Sequence, residues 1–313
     1  MASLFGPDKH GTDLAYNNIN ETPSGLSDLM KKLDSDIRDF VDSLWLRFKP
    51  YADKHFETEI RNNFQARTWE MYLGCSLLDC GLRLFSSDSG PDFKVEVEEK
   101  IVWFEAVIAT SGEPEKPDTV PDFTQRNIAP EEIVAHKLPL DKIILRLRSV
   151  IEDKHKKYVE YCEKSIVGPN DPYVIAINGW NIRFSKNDGI TPTILQAVFP
   201  LGDLLVPITT DPNDTAEPFY KFRSEIQKHG GALVSTDVFL DEQYRGISAV
   251  VYSAADAANG PYTLGSDYVI VHNPIAKNPL TRGMIKLGRE YVLVATEDGY
   301  SLDTVVSSEA NSS

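Results

Sequence analysis

The chain has 313 residues, of which 42% are hydrophobic and 25% are charged, and this composition is typical of a globular protein that buries its own core. No apolar run approaches the roughly 20 residues that a membrane helix needs, and the first residues lack the basic and apolar regions of a secretory signal, so we expect a cytoplasmic protein without a membrane partner. The formal net charge of −15 argues against tight, nonspecific binding of duplex DNA, because lysine and arginine contacts to phosphate supply most of that affinity. A local basic patch is compatible with this charge.

Taken from the N-terminus, residues 1–24 show no periodicity and are predicted to form a flexible arm. Residues 25–313 are predicted to form a single α/β domain, because no low-complexity linker divides them. Within it we expect an N-terminal helix in 25–56, a core over 57–179 and a C-terminal α/β extension of the sheet over 180–313.

Hydrophobic spacing assigns the elements of the core. Apolar residues three and four positions apart predict helices at about Glu57–Asp79 and Leu140–Cys162. Apolar runs, alternating or continuous, predict strands at Leu82–Phe85, Phe93–Val97, Ile101–Ala109 and Tyr173–Ile177. The predicted order is therefore helix, three strands, helix, strand.

The C-terminal extension reads mainly as strands of the same mixed sheet. They are predicted at Ile194–Phe199, Leu204–Thr209, Ala232–Leu240, Ile247–Ser253, Tyr268–His272 and Tyr291–Thr296, with one helix at Phe219–His229.

Three carboxylates occur in unusual surroundings. Glu105 interrupts the apolar run Ile101–Ile108, where an ionisable group is costly unless it is paired or binds a metal ion. Asp92 follows Gly90 and Pro91 and precedes a strand, so it is a turn residue or a ligand. Glu70 lies on the second helix, where a solvated carboxylate is the simpler interpretation. Their order and spacing together favour a divalent-metal site, because hard cations prefer carboxylate oxygens on rigid elements.

This arrangement resembles the PD-(D/E)XK nuclease superfamily: a helix bearing Glu70, a Gly-Pro-Asp turn ending at Asp92, and Glu105 late in an apolar strand. The resemblance covers roughly residues 57–177. It implies a restriction-endonuclease-like mixed β-sheet core flanked by helices, with Asp92, Glu105 and Glu70 as ligands of Mg²⁺ or Mn²⁺. It also implies hydrolysis of phosphodiester bonds in nucleic acid, DNA above all, by an endonuclease or exonuclease of restriction, repair or defence.

One position departs from the superfamily pattern. The catalytic lysine should follow Glu105 by two residues, and Val107 stands there. Some members of the superfamily take this lysine from the next helix, where Lys154-x-x-x-Tyr158 is similar to the Q-x-x-x-Y motif of the RecB-like branch. Lys154 is therefore the predicted replacement, unless it is one solvated lysine in a charged run. Arg146, two turns before Lys154, is expected to meet either phosphate or a structural carboxylate.

Three functions remain open at this point. The first is the metal-dependent nuclease, with Glu70, Asp92, Glu105 and Lys154 as its catalytic groups. The second is a catalytically impaired protein of the same fold that acts as a binding or interaction module, which Val107 and the net charge favour. The third is an acidic partner protein whose buried carboxylates only form ion pairs. A protein partner or a homo-oligomer is compatible with each of them.

Overall fold

The computed structural model describes residues 27–86, 89–97, 100–121, 138–185, 189–207, 217–297 and 299–306, with side chains from residue 36 onward. The predicted arm, residues 1–24, lies outside these ranges. The α-helices are α1 (Ser27–Phe48), α2 (Phe56–Glu59), α3 (Phe64–Asp79), α4 (Leu140–Glu163) and α5 (Thr193–Val198). Among the helices described, none combines the length and apolar character needed to span a membrane.

Twelve strands are described. They are β1 (Arg83–Ser86), β2 (Phe93–Val97), β3 (Lys100–Thr110), β4 (Tyr173–Asn181), β5 (Leu201–Leu205), β6 (Phe219–Phe222), β7 (Glu225–Gln227), β8 (Leu233–Ser235), β9 (Ala249–Ser253), β10 (Val269–His272), β11 (Arg289–Thr296) and β12 (Gly299–Val306). Short 3₁₀ helices occupy Lys49–Tyr51, Val238–Leu240 and Glu242–Tyr244.

Eight of these strands form one mixed sheet in the order β1-β2-β3-β4-β9-β10-β11-β12. Strand β2 is antiparallel to both of its neighbours, β1 and β3, whereas β3, β4 and β9 run parallel. The C-terminal strands β9 to β12 therefore continue the sheet that the core begins. The predicted α/β class and the large mixed sheet flanked by helices are confirmed.

Helices cover both faces of the sheet. Successive residues of β4 alternate between two hydrophobic clusters: Val174 packs with α1 and α3, and Ile175 packs with α4 and α5. Because neighbouring side chains of a strand point to opposite faces, a strand covered on both sides is apolar throughout. This is why β3 and β4 are the most continuous apolar runs in the sequence.

Several element predictions in the C-terminal part are wrong. The predicted strand Ala232–Leu240 is only the short strand β8 followed by a 3₁₀ helix at Val238–Leu240, and strands β5 to β8 form two separate two-stranded sheets instead of extending the large sheet. The predicted strand Ile194–Phe199 is helix α5, which is buried along its whole length, and a fully buried apolar run has no periodicity that separates helix from strand. The predicted helix Phe219–His229 contains two strands instead: β6 pairs with β5, and β7 pairs with β8. The predicted helix Glu57–Asp79 is interrupted, so that α2 and α3 are separate.

Candidate active site

Strand β3 carries Glu105 into the interior of the protein. The side chain is only 3% exposed, and Glu105 pairs with Ile175 on the parallel neighbour β4. The residue before it, Phe104, belongs to the cluster under α1 and α3, so Glu105 points to the opposite face, where α4 lies. A carboxylate in this position needs a cation or several hydrogen bonds to offset its lost hydration.

Asp92 lies beside Glu105 at the point where β2 begins. Phe93 pairs with Phe104, and continuing this register by one residue places Asp92 opposite Glu105. Asp92 Oδ2 accepts a hydrogen bond of 2.7 Å from the backbone N–H of Ala106. Burial, together with the negative charge of Glu105, raises the pKa of Asp92 to about 6, although this hydrogen bond opposes the change.

Glu70 approaches the pair from α3. Its carboxylate accepts a hydrogen bond of 2.7 Å from Arg67, and Arg67 also forms ion pairs with Asp53 and Glu59. One guanidinium is thus shared among three carboxylates. Burial and the charge of Asp92 raise the pKa of Glu70 to about 8, outweighing the attraction of Arg67. The charge of Glu105 thus acts on the pKa of Asp92, and the charge of Asp92 acts on the pKa of Glu70.

Helix α4 brings the positive charges. Lys154 Nζ lies 2.5 Å from Glu105 Oε1, and Lys157 Nζ lies 3.4 Å from the same oxygen. Tyr161 OH is 3.4 Å from Glu105 Oε2. Burial alone would lower the pKa of Lys157, but the charge and hydrogen bonding of Glu105 raise it above its usual value. Residues spaced by three and four positions share one helix face, and here that face covers Glu105.

The structure brings four predicted site residues into this cluster, and it places two elsewhere. Glu70, Asp92, Glu105 and Lys154 converge as described. The ring of Tyr158 instead packs on Tyr173, with ring centroids 4.9 Å apart. Arg146 donates to the backbone oxygen of Thr110 at 2.8 Å. Neither residue contacts the carboxylates among the contacts described.

Three groups of the cluster were not predicted: Arg67, Lys157 and Tyr161. The spacing from Lys154 to Lys157 and Tyr161, three and seven positions, was visible in the sequence as one helix face. Arg67 lies three residues before Glu70, and such a pair is adjacent on a helix.

No family model, no curated protein and no solved structure matches the chain. The resemblance to the PD-(D/E)XK superfamily therefore rests on the residues themselves.

The carboxylates of Glu70, Asp92 and Glu105 are suitable ligands for a hard divalent cation, but their oxygens are not positioned around a common point. Among the described residues, no group of three or more His, Cys, Asp and Glu side chains is placed to hold a metal ion. The carboxylates are instead held by cations of the chain: Glu105 contacts two ammonium groups, and Glu70 contacts Arg67. Glu70 Oε1 and Asp92 Oδ1 accept no hydrogen bond from the described part of the chain, so two carboxylate oxygens are available to a cation.

The pKa of Glu70 predicts how the metal-free protein responds to pH. A carboxyl group whose pKa is about 8 in the folded state, against about 4.3 in model peptides, holds its proton longer in the folded than in the unfolded chain. Stability should therefore fall as the pH rises from about 5 to 8. Glu70→Gln should remove much of this loss, a few kcal/mol at about 1.4 kcal/mol per pKa unit.

The measurement is denaturant unfolding in EDTA across this pH range. Glu59→Gln is the matched control, because Glu59 shares Arg67 but its side chain is 45% exposed. It should keep the pH dependence of the wild type. An unchanged slope in Glu70→Gln would contradict the raised pKa.

Proposed function

We propose that the chain is a metal-dependent nuclease that hydrolyses phosphodiester bonds, with DNA as its expected substrate. One observation carries the proposal. Three carboxylates lie on three separate elements: the charge of Asp92 raises the pKa of Glu70, the charge of Glu105 raises the pKa of Asp92, and a lysine from α4 contacts Glu105, the most buried of them. Clustered carboxylates with raised pKa values are typical of functional sites, and a carboxylate group with a lysine suits phosphoryl chemistry.

Each residue of the cluster would have a separate role in this reaction. Asp92 and Glu105 would hold Mg²⁺ or Mn²⁺, with Glu70 completing or supporting the set of ligands. When bound, the cation supplies positive charge to the phosphate and lowers the pKa of the attacking water. Lys154, once it no longer pairs with Glu105, offers an ammonium at the same place to stabilise negative charge on the phosphate oxygens. Tyr161 and Lys157 keep α4 against Glu105.

In this proposal, Lys154 supplies the ammonium that the superfamily pattern places at position 107, where this chain has a valine. Val107 is two residues after Glu105 and packs in the same cluster as α4, so its side chain and Glu105 face the same helix. An ammonium reaching Glu105 from α4 thus enters the space that a lysine at position 107 would occupy. This geometry supports the exchange, and the catalytic role of Lys154 stays a prediction.

A second function is favoured by a specific observation. The charge of Glu105 is balanced by Lys154, at 2.5 Å, with Lys157 at 3.4 Å from the same oxygen. Buried pairs of this kind can be purely structural. The second candidate is therefore a catalytically impaired protein of this fold that binds nucleic acid or a protein without cutting.

Incubation of the purified protein with nucleic acids separates these functions. The substrates are supercoiled plasmid, linear duplex, single-stranded DNA and RNA, each with Mg²⁺, Mn²⁺ or EDTA. The nuclease proposal expects cleavage of DNA with a divalent cation and none with EDTA. Binding of a divalent cation without cleavage of any substrate would support the catalytically impaired module. If the protein neither binds a cation nor cleaves, the buried carboxylates only form structural ion pairs.

A further inference from the structure

The connection between β10 and β11 is long, irregular and held in place. It spans the sixteen residues 273–288 and contains no helix or strand. The side-chain amide of Asn273 donates to the backbone oxygens of Tyr244 and Ile247 at 3.2 and 2.8 Å. The amide of Asn278 donates to Pro169 and Asp171 at 3.1 and 3.2 Å. Irregular loops of this length in compact domains usually serve a function.

This connection has a charge opposite to that of the whole chain. Its sixteen residues contain Lys277, Arg282 and Lys286 and no aspartate or glutamate, and Arg289 and Glu290 follow at the start of β11. At the average frequency of 47 acidic residues in 313, a stretch of this length would carry two or three. The local positive charge is therefore a distinct feature of a protein whose net charge is −15.

Three of these cations line a single groove, together with a cation from the sheet. The groove has a volume of about 590 Å³ and is bordered by Lys277, Arg282, Lys286 and by Lys100 at the start of β3. No carboxylate side chain belongs to its described lining. All four cations are exposed, and none forms an ion pair with the residues that the structure describes.

We propose that this groove binds the phosphodiester backbone of a nucleic-acid strand. Four exposed cations in a concave surface whose described lining includes no carboxylate repel one another and focus a positive potential, which a polyanion relieves. Release of counterions from phosphates then supplies affinity that is independent of sequence. The choice of nucleic acid among polyanions rests on the proposed nuclease function. The inference that the groove binds a polyanion rests only on its shape and charge.

We expect the groove to contribute to the binding of nucleic acid and to take no part in the hydrolysis. Lys100 is the first residue of β3, and Glu105 follows five residues later, roughly 16 Å away at 3.3 Å per residue. Val102, which lines the groove, packs in the cluster under α1 and α3, whereas Glu105 points to the other face. Substitutions in the groove should therefore weaken binding and raise KM while leaving kcat unchanged.

The test is binding of a fluorescently labelled oligonucleotide, measured by anisotropy in EDTA at several salt concentrations. The groove variant combines Lys277→Glu, Arg282→Glu and Lys286→Glu. The control combines Arg61→Glu, Lys221→Glu and Lys228→Glu, three exposed cations elsewhere, so both variants lower the net charge by the same six units. Thermal unfolding verifies that both are folded.

We expect the groove variant to bind at least tenfold more weakly at low salt. The slope of log K against log salt should shrink by about 2 to 3, since each lost phosphate contact removes roughly 0.7 to 0.9. The control should change the slope by much less. Equal losses in the two variants would overturn the groove, and poly-L-glutamate that displaces the oligonucleotide as well as unlabelled DNA does would overturn its assignment to phosphate.

The same assay separates this inference from the proposed function. Glu105→Gln should keep the part of oligonucleotide binding in EDTA that the groove variant removes, because the groove needs no metal ion. Groove-dependent binding without cleavage would contradict only the nuclease. Metal-dependent cleavage with a KM unaffected by the groove variant would contradict only the groove.

Discussion

Glu105→Gln should lower the rate of metal-dependent DNA cleavage by about 100-fold or more. Glutamine keeps the shape of the side chain and can still accept a hydrogen bond from Lys154, but it removes the charge that would hold the cation. Loss of a metal-organised water is worth several kcal/mol of transition-state stabilisation, and each ~1.4 kcal/mol is a factor of ten in rate. The measurement is the initial rate of plasmid cleavage under saturating Mg²⁺.

Glu96→Gln is the control for this prediction. Glu96 lies on the neighbouring strand β2 and forms a solvent-exposed ion pair with Arg83 at 3.3 Å, so its neutralisation should leave cleavage unchanged. Denaturant unfolding of both variants verifies the fold. A folded Glu105→Gln protein that cleaves at the rate of the wild type would exclude Glu105 as a metal ligand.

Lys154→Met should have the largest effect on stability. The side chains of Lys154 and Glu105 are 13% and 3% exposed, and removing one partner of a buried pair leaves an unbalanced charge that costs about 3–5 kcal/mol. Lys157 remains at 3.4 Å and is half exposed, so we expect a loss near the lower end of that range in EDTA. A divalent cation should restore much of it, because the cation can replace the ammonium at Glu105.

The dependence on the cation distinguishes a metal site from a structural ion pair. Mg²⁺ should raise the melting temperature of Lys154→Met more than that of the wild type, since the cation no longer competes with Lys154. Lys156→Met is the matched control, because Lys156 is exposed on the same helix and pairs only with Glu152 and Asp153 among the described residues. A Lys154→Met protein with no response to divalent cations would favour the structural pair.

The same variant tests the exchange between positions 107 and 154. Lys154→Met should lose cleavage even where it binds the cation more tightly. Adding Val107→Lys should restore part of the rate, because the new ammonium would extend from β3 on the face that Glu105 shares. The double variant Val107→Lys with Glu105→Gln should remain inactive. If Val107→Lys leaves Lys154→Met inactive although the protein is folded, position 107 does not replace Lys154.

The central part of the fold and the carboxylate positions could be predicted because each carries a strong local signal. Strand β3 is apolar over most of eleven residues, so a glutamate inside it stands out. The turn before Asp92 depends on Gly90 and Pro91, which restrict the backbone locally. Helix α4 follows from the periodicity of its apolar residues, and its observed bounds differ from the prediction by one residue.

The remaining errors arise where local signals are ambiguous. Helix α5 is buried on all sides, so its apolar run carries no period. Phe219 and Phe222 fit a helical spacing, yet they lie on β6, which pairs with β5. Strand β12 is largely exposed and polar and is held by pairing with β11 over eight residues, a long-range contact that no local pattern reports.

The identity of the cations around the site also depended on packing. Tyr158 was favoured over Tyr161 by the K-x-x-x-Y resemblance, but the rotation of α4 against the sheet decides which tyrosine faces Glu105. Only the packed helix defines that rotation. The pairing of Lys154 with Glu105 links two residues 49 positions apart, and its closeness was expected only through the superfamily resemblance.

Diffraction from crystals soaked in Mn²⁺, recorded to reveal anomalous scattering, tests the central claim most directly. We expect a peak at roughly 2.0 to 2.6 Å from carboxylate oxygens of both Asp92 and Glu105, with the ammonium of Lys154 displaced from its 2.5 Å contact with Glu105. Absence of a peak at saturating Mn²⁺, with the Lys154–Glu105 pair intact, would contradict the metal site and with it the proposed nuclease.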